Sequence, residues 1–449
     1  MRHPPFEHVV ATVLLAVASM VAAPRVLAAP GDLDTSFGTG GKVIVSFASP
    51  GPDSATALAR DAAGYLYVGG NGHSALGGGS TDFAIAKLDQ GGQLVSSFGS
   101  GGKLLVNVST YNDIGTSLVI AGAYGYIGGS TTIGSSRVFV VSKFDLDGRL
   151  VTSFGTGGTR IVDFGPNTAS YVEAITVDTN GNLFLAGGTL IPPSADYALA
   201  VTQLDPTGAP VSGFGNGGTS IIPTSGFSST YTALTPDGAG GLYLAATRYA
   251  TSATSIALHR LGPNGLPVSA FGTGGRVVVN FTGNHDEVNG LSRASNGDLY
   301  LAGTMLDFSN VRRIGVAKIG ANGVLASGYG TAGKVMLGLA GHSLEGNAMA
   351  LAQDGSVYVV GVDESSTSVD YLVAAFGSAG SVDSGFGTAG STAISFSTGN
   401  DFGRAALLDG NGHLYVTGDA DGSSSSSHFG IARLLVPRPE TIFRSGFEP

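Results

Sequence analysis

Acidic residues and histidines recur in the polar stretches of this chain, each close to a short apolar run that is rich in β-branched residues. Such runs predict strands, so these side chains are expected in loops at strand ends. The residues concerned are Asp53, Asp113, His285, Asp286, Glu287, His342, Glu345 and Asp401. Carboxylate oxygens of this kind suit calcium, and the imidazoles of His285 and His342 suit a transition metal.

Their spacing matches no defined metal site. We therefore treat His285, Asp286, His342 and Glu345, together with Asp53, Asp113 and Asp401, as candidate ligand-binding residues and assign no metal ligand. No cofactor is predicted, and calcium is the one cation left open. The alternative is that single acids in turns are solvated or cap the turn.

Two other motifs fail as catalytic signatures. Gly40-Gly41-Lys42 is followed by Val43 and a strand, whereas a phosphate-binding loop needs Ser or Thr after the lysine and then a helix. The pairs His73-Ser74 and His342-Ser343 lie outside any Gly-x-Ser-x-Gly turn. The chain has no tryptophan, the residue that quinone-dependent propeller enzymes use in their blade-docking motifs. No catalytic residue is predicted.

These candidates lie within a repeat that covers most of the chain. The motif Ser36-Phe37-Gly38-Thr39-Gly40-Gly41 returns at intervals of 56 to 61 residues. Its aromatic residues are Phe37, Phe98, Phe154, Phe214, Phe271, Tyr329 and Phe386. A second aromatic recurs every 57 to 59 residues, at Tyr67, Tyr126, Phe184, Tyr243, Tyr300, Tyr358 and Tyr415. Tandem recurrence of this kind indicates one supersecondary unit repeated along the chain.

One repeat predicts four short strands: a at 42–47, b at 55–60, c at 65–69 and d at 82–88. No helical periodicity separates them. The predicted fold is therefore all-β, a seven-bladed β-propeller of four-stranded antiparallel blades, in which the aromatic of strand c packs between neighbouring sheets. The propeller is assigned to residues 29–436 and a C-terminal tail to 437–449.

The ends of the array predict how the ring closes. The last strand d is followed by Val436-Pro437-Arg438-Pro439 and not by another glycine motif. The first glycine motif, within 33–41, has no strand d before it. We therefore expect the N-terminal segment to pack where the final link would run. An open solenoid would instead show polar capping repeats at its ends.

Strand d carries a basic residue near its end in most repeats. The residues are Lys87, Lys143, Arg260, Lys318 and Arg433. One interpretation is a positive ring that recruits an anionic ligand. The favoured interpretation is that strand d is the outermost strand and that its charge protects an unpaired edge from aggregation.

The sequences FGTGGKVIVSF, GYLYVGG, DFAIAKLD and SSFGSGGK together resemble the delta-60 repeat of secreted and surface proteins of bacteria. The resemblance covers residues 33–435 and implies a propeller-like scaffold, and it brings no catalytic residues. The chain departs from the pattern at Tyr329, Ala332 and Ala389 in the motif, and at Gln203 and Ala375 in strand d. The tail at 441–448 resembles the short IFxxGFE endings of secreted Gram-negative proteins, for which a sorting role and a frayed terminus are both open.

The net charge and the N-terminal sequence exclude some classes of function and favour others. A formal net charge of −10 argues against a nucleic-acid binder, which needs a basic surface for phosphates. With no cysteine there is no disulfide or thiolate site. Arg2, an apolar run at 9–23 and a small residue at Ala28 predict a signal peptide at 1–28. No later stretch is long and apolar enough to span a bilayer.

The sequence thus predicts a secreted or cell-surface protein, expected as a monomer, that acts as a non-enzymatic binding or adhesion scaffold. Its partner would be a protein or glycan of the cell envelope, held on the variable loops between strands a and b and between strands c and d. The alternatives are an extracytoplasmic hydrolase or oxidoreductase with its site in the central channel, and a purely structural envelope component.

Overall fold

The computed structural model describes residues 28–47, 51–73, 80–190, 197–250, 253–364, 369–421 and 427–438. The predicted signal peptide, apart from Ala28, and the tail beyond residue 438 lie outside the described residues. All regular elements in the described ranges are β-strands. The same ranges include no helix of the length and apolarity needed to cross a bilayer.

Four of the sheets have four strands each. The first contains β1 (Lys42–Val45), β25 (Phe402–Leu408), β26 (His413–Ala420) and β27 (His428–Leu435). The second contains β2 (Ser54–Arg60), β3 (Leu66–His73), β4 (Thr81–Leu88) and β5 (Lys103–Val106). The third contains β17 (His285–Arg293), β18 (Leu299–Leu306), β19 (Arg312–Ile319) and β20 (Lys334–Leu337). The fourth contains β21 (Leu344–Leu351), β22 (Val357–Asp363), β23 (Asp370–Phe376) and β24 (Ser391–Ile394).

The remaining strands are hydrogen-bonded into one longer sheet. They are β6 (Ile114–Ala121), β7 (Tyr124–Ile133), β8 (Ser136–Asp145), β9 (Thr159–Val162), β10 (Ala169–Val177), β11 (Leu183–Leu190), β12 (Tyr197–Leu204), β13 (Thr219–Pro236), β14 (Leu242–Ala250), β15 (Ala253–Leu261) and β16 (Arg276–Val279). The long strand β13 pairs with β12 through its first part and with β14 through its last part. A single parallel contact, between Ala169 and Arg137, joins β10 to β8. The fold is all-β and β-propeller-like.

The order of strands within a sheet corrects one expectation. Each sheet begins with strand b and ends with strand a of the following repeat, as in the order β2-β3-β4-β5. Strand d therefore lies inside the sheet, and the prediction that it forms the outer edge is wrong. The physical reason is the glycine motif, which turns the chain back so that β5 pairs antiparallel with β4.

Of the basic residues of strand d, Lys87, Lys143 and Arg433 are consequently buried, and Arg260 and Lys318 are partly buried. The Lys87 side chain is 7% exposed, and its Nζ lies 4.5 Å from the centroid of the Tyr65 ring and 5.1 Å from that of Tyr67. The same Nζ donates a hydrogen bond of 2.8 Å to the carbonyl of Leu146 in the next repeat. Lys143 makes the equivalent bond to Pro206, at 2.9 Å. These cations link consecutive repeats, and neither an edge-protecting nor an anion-recruiting role fits them.

Each repeat joins its strand-c aromatic to the aromatic of a glycine motif. The ring centroids of these pairs are 5.4 to 5.8 Å apart. The pairs are Phe37 with Tyr415, Tyr67 with Phe98, Tyr126 with Phe154, Phe184 with Phe214, Tyr243 with Phe271, Tyr300 with Tyr329, and Tyr358 with Phe386. All of these rings are buried. Tyr67 and Phe98 share a core cluster with Leu118 of β6 and Ile127 of β7 in the next sheet, which confirms that the aromatics pack between sheets.

The departures in the glycine motif do not alter its turn. Gly40 has φ of 62°, and Ala332 and Ala389 hold the corresponding position with φ of 52°. A side chain in this left-handed region is strained, at about 1 kcal/mol. The position is sterically open, since a Cβ added at Gly40 would have no neighbour within 4 Å. Alanine is therefore tolerated there.

The N-terminal segment closes the array as expected. Strand β1 pairs antiparallel with β27, and Leu33 forms a bridge with Leu434. The guanidinium of Arg433 lies 2.8 Å from the Asp34 carboxylate. Phe37, from the same segment, supplies the aromatic partner of Tyr415. The first residues of the array thus complete the last sheet.

We expect Val45→Ala to lower the free energy of unfolding by about 1 to 3 kcal/mol, because Val45 is 3% exposed in the core formed by β1 and β27. Ile44→Ala, one residue away on the opposite face and 49% exposed, is the matched control and should change it by less than about 0.5 kcal/mol. Urea unfolding of both variants measures this. Equal effects would show that β1 does not stabilise the last sheet.

A polar channel and a charged loop face as the candidate functional site

The innermost strand of each repeat faces its neighbours around a central channel. Each inner strand contacts the next, and the last contacts the first; the strands in order are β2, β6, β10, β13, β17, β21, β25 and again β2. Six of them contain a bulge in which one extra residue interrupts the pairing with strand c. The extra residues are Thr56, Thr116, Glu173, Asn289, Asn347 and Arg404. All six line one cavity of about 290 Å³.

The bulges depend on a glycine in strand c. A Cβ at Gly70 would lie 2.0 Å from the carbonyl oxygen of Ser54, so only glycine fits opposite this bulge. The same holds at 1.8 to 1.9 Å for Gly129, Gly187, Gly303, Gly361 and Gly418. In β14 the corresponding residue is Ala246, and there the irregularity in β13 is longer, running from Phe227 to Thr232.

Most side chains of this ring bind the neighbouring inner strand. Thr56 donates a hydrogen bond of 2.9 Å to the carbonyl of Gly115, and Thr116 one of 2.7 Å to that of Val172. The amides of Asn289 and Asn347 donate to the carbonyls of Gly346 and Gly403, at 2.7 and 2.9 Å. Each of these bonds uses a side-chain O–H or N–H. The groups that remain available to the channel are therefore mainly oxygen lone pairs.

Glu173 is the exception in the ring. Its carboxylate makes no hydrogen bond or ion pair with a described residue, and burial raises the pKa of Glu173 to about 8. Thr232, on the next inner strand, also lines the cavity, and its hydroxyl oxygen is buried without a hydrogen-bond partner among the described residues. The Glu173 side of the channel therefore has unused hydrogen-bonding capacity.

Arg404 contributes the other charge to the channel wall. Its Nε and one terminal nitrogen donate to the same carboxylate oxygen of Asp419, at 2.9 and 2.7 Å. The other oxygen of that carboxylate is buried without a partner among the described residues. Arg404 is thus neutralised within its own sheet.

A charged cluster lies on the loop face, where strands b and d begin. Arg312, at the start of β19, lies 2.7 Å from Glu345 of β21 and 2.8 Å from Glu364 in the loop after β22. Burial raises the pKa of Glu345, and the neighbouring Glu364 raises it further. Burial also raises the pKa of Glu287 on β17, which the Arg312 charge partly offsets. We call Glu287, Arg312, Glu345 and Glu364 the loop-face cluster.

The four aspartates expected to bind a ligand have a different role. They are no more than 2% exposed, and each accepts a backbone N–H at 2.7 Å from the end of the preceding outer strand. The donor and acceptor pairs are Phe47 to Asp53, Val108 to Asp113, Phe281 to Asp286, and Phe396 to Asp401. Asp53 and Asp401 also bind the loop that follows strand c, through the N–H groups of His73 and Asp421. They cap the loops and are not available to a ligand.

The two candidate histidines are not brought together on a metal site. His285 is exposed at the start of β17, and the Nδ1 of His342 lies 2.7 Å from Asp363. In the described part of the chain, no group of three His, Cys, Asp or Glu side chains could hold a metal ion. Of the seven candidate residues, Glu345 is the one that belongs to the loop-face cluster.

The larger cavities, of about 620 to 730 Å³, are grooves between the outer edges of neighbouring sheets. Lys42 and Lys103 line two of them, and each donates its Nζ hydrogen to a carbonyl at the end of an outer strand, Ser395 and Ser46 respectively. These grooves follow from the repeat itself. The channel differs because it gathers one variable side chain from each of several sheets.

The fold and the site define a β-propeller-like protein with a polar channel. No protein-family model matches the chain, and no curated protein matches it significantly. Among solved structures, the polysaccharide lyase Uly1 is similar with a TM-score of 0.46 and 10% identity, over 91% of this chain and 98% of that one. Sqt1 of Chaetomium thermophilum, bound to the N-terminus of ribosomal protein L10, gives 0.46 and 12%, over 88% and 99%. The endo-arabinase of Bacteroides thetaiotaomicron gives 0.31 and 14%, over 59% and 93%. Similarity at this level transfers no activity.

Glu173 should make the stability of the protein depend on pH. Its pKa is about 8 in the folded state against 4.5 for a free glutamate, so the folded state binds the extra proton and loses stability as pH rises from about 4.5 to 8. Relative to Glu173→Gln, the wild type should lose on the order of 3 kcal/mol across this window, since each pKa unit is worth about 1.4 kcal/mol and the side chain is partly exposed to the cavity. Urea unfolding of both proteins at several pH values measures the difference. Parallel curves would contradict it.

Proposed function

We propose that this protein is an exported, seven-bladed β-propeller of the delta-60 type that acts as a non-enzymatic binding scaffold outside the cell or on its surface. Its partner is a protein or glycan of the cell envelope that carries a basic patch and contacts the loop face.

The blade count is supported by the cyclic contacts of the inner strands and by the repeated aromatic pair. β2, β6, β10, β17, β21 and β25 each begin a group of four strands, and the last part of β13 begins another. The continuous long sheet divides into three such groups at the β10 contact and within β13. Electron-microscopy averages viewed along the channel axis would count the blades directly.

One observation carries the binding function. The loop-face cluster brings three carboxylates and one guanidinium from two neighbouring sheets together on the loop face. Its net negative charge fits a partner with basic groups, because complementary charge steers association and selects the partner. Function also concentrates on variable loops held by a rigid frame.

A second candidate is an enzyme acting in the channel. The observation that favours it is Glu173, because a carboxylic acid with a pKa of about 8 is matched to general acid catalysis near neutral pH. Turnover of a polysaccharide or glycoside substrate that is abolished by Glu173→Gln would favour this candidate over the scaffold.

Export has its own test. When the full chain is produced in a Gram-negative host, we expect the protein outside the cytoplasm to begin at Ala29, because cleavage after Ala28 follows the small-residue rule for signal peptides. Mass spectrometry of the secreted and membrane fractions gives the mature N-terminus. An intact Met1 in a protein confined to the cytoplasm would contradict export.

Binding is tested with the protein that begins at Ala29, immobilised and exposed to Gram-negative envelope fractions. The double variant Glu345→Gln/Glu364→Gln removes both ion-pair partners of Arg312 and the net negative charge of the cluster, so we expect about tenfold weaker retention at roughly 50 mM salt. The wild-type interaction should also weaken as salt rises above about 150 mM.

The matched control is Asp147→Asn, whose side chain is 66% exposed in a turn on the opposite face. It should bind as the wild type does. Thermal unfolding confirms that both variants are folded. Retention that is unchanged by the double variant and by salt would contradict the loop-face site.

A further inference from the structure

At β10 and β13 the channel ring has a segment whose polar side chains make no hydrogen bond with a described residue. Thr56, Thr116, Asn289 and Asn347 each donate to the next inner strand. Arg404 instead donates to Asp419. Glu173 and Thr232, on the adjacent strands β10 and β13, make no such bond with described residues. A buried polar group without a partner is costly, so such positions are candidates for ligand contact.

We propose that the Glu173 side of the central channel is a binding site for a ligand that presents a primary ammonium group. The groups there that no described residue engages are the Glu173 carboxyl, which offers two acceptor oxygens when ionised, and the Thr232 hydroxyl, which can accept as well as donate. The neighbouring Thr116 hydroxyl has already given its hydrogen to Val172, which leaves its oxygen as an acceptor. An ammonium group supplies three donors and one positive charge, and it thus complements three acceptors and one carboxylate.

Other ligand classes match this wall less well. An anion would meet oxygen lone pairs, and the one guanidinium on the described wall is bound to Asp419. Calcium takes six to eight oxygens, usually with several carboxylates, whereas Glu173 is the one carboxylate that lines the cavity. A cavity of about 290 Å³ is also close to the lower limit for small-molecule sites, which suits a compact amine.

The charge of Glu173 makes binding depend on pH. Burial raises the pKa of Glu173 to about 8, and no other charged group contributes. The cavity-lining groups on the strands packed against β10 are the hydroxyls of Thr116, Ser117 and Thr232, and the other charged group of the described wall is Arg404. An ammonium favours the ionised carboxylate, so binding near neutral pH releases a proton. Affinity should rise by roughly 50- to 100-fold between about pH 6 and pH 9, a range in which an alkylammonium stays charged.

The probe is n-butylammonium chloride, titrated into the protein that begins at Ala29 by calorimetry, in two buffers of different ionisation enthalpy. We expect saturable binding, proton release near pH 7 and the rise in affinity with pH. Tetramethylammonium, a cation without N–H donors, should bind at least about tenfold more weakly. Glu173→Gln should lose at least about tenfold in affinity and the pH dependence, whereas Asp147→Asn should keep both.

Thr232→Val is a second variant and should weaken binding by a smaller factor. The pH dependence of binding to the wild type tests the proposal without any variant. The proposal is overturned if n-butylammonium shows no saturable binding, if Glu173→Gln binds it as tightly as the wild type, or if tetramethylammonium binds equally well. It is also overturned if xylitol or calcium saturates the channel in its place. Envelope binding through the loop-face cluster should survive Glu173→Gln, so failure of this site and failure of the proposed function are distinguishable.

Discussion

The structure depends on an aromatic pair that no repeat can complete alone. Tyr67 of β3 contacts Phe98 of the following glycine motif, and both share a core cluster with Leu118 of β6 and Ile127 of β7 in the next sheet. Burial of one such ring is worth roughly 4 to 6 kcal/mol at most. Since each repeat buries its rings against the next one, a terminal repeat would leave a pair open. Phe37 of the N-terminal segment packs against Tyr415 and completes the last pair. The N-terminal segment must therefore return to the last sheet.

The cations of strand d stabilise the aromatic pair, but the pair forms without them as well. Lys143 and Arg433 lie over the paired rings Tyr126 and Tyr415 and bind a carbonyl of the next repeat. Where strand d has Gln203 or Ala375 instead, the pairs Phe184 with Phe214 and Tyr358 with Phe386 keep the same separation. The aromatic pair and the glycine turn therefore define the repeat. The cation strengthens the link between sheets, and burial lowers the pKa of both Lys87 and Lys143.

Much of the fold could be predicted because apolar periodicity and turn glycines are local signals. They indicated strands, the repeat, the packing of the strand-c aromatics and closure by the N-terminal segment. The order of strands in a sheet could not be obtained in this way, because nothing local says whether strand a pairs with strand b of its own repeat or with strand d of the previous one. The position of Lys87 was missed for a related reason: a charged residue in a short strand is ordinarily exposed, and the rings of Tyr65 and Phe98 that surround it come from other elements of the chain.

The site residues were harder to predict. The loop aspartates were identified by type, and Asp286 and Asp401 show that the capping alternative applies. The channel ring was missed, although one signal for it was present. Gly70 and Gly361 belong to a series that recurs in strand c, and a glycine there marks the close approach of a bulge on the inner strand. The residue in that bulge has no ladder partner, so its type is free to vary from one repeat to the next.

This variation in the type of the bulge residue explains why one side of the channel differs from the rest. Thr and Asn have a hydrogen to donate and so close the ring, as Thr116 does to Val172. Glu173 makes no such bond with a described residue, so its link to β13 is unmade. The neighbouring strand is also the one where Ala246 replaces the strand-c glycine and where the register shift is longest. The departure in the ring and the departure in the strand pairing thus lie next to each other. Glu173 and Thr232 line one cavity there, and neither side chain makes a hydrogen bond with a described residue. The channel wall at β10 and β13 is therefore a part of the ring whose polar side chains have unused hydrogen-bonding capacity.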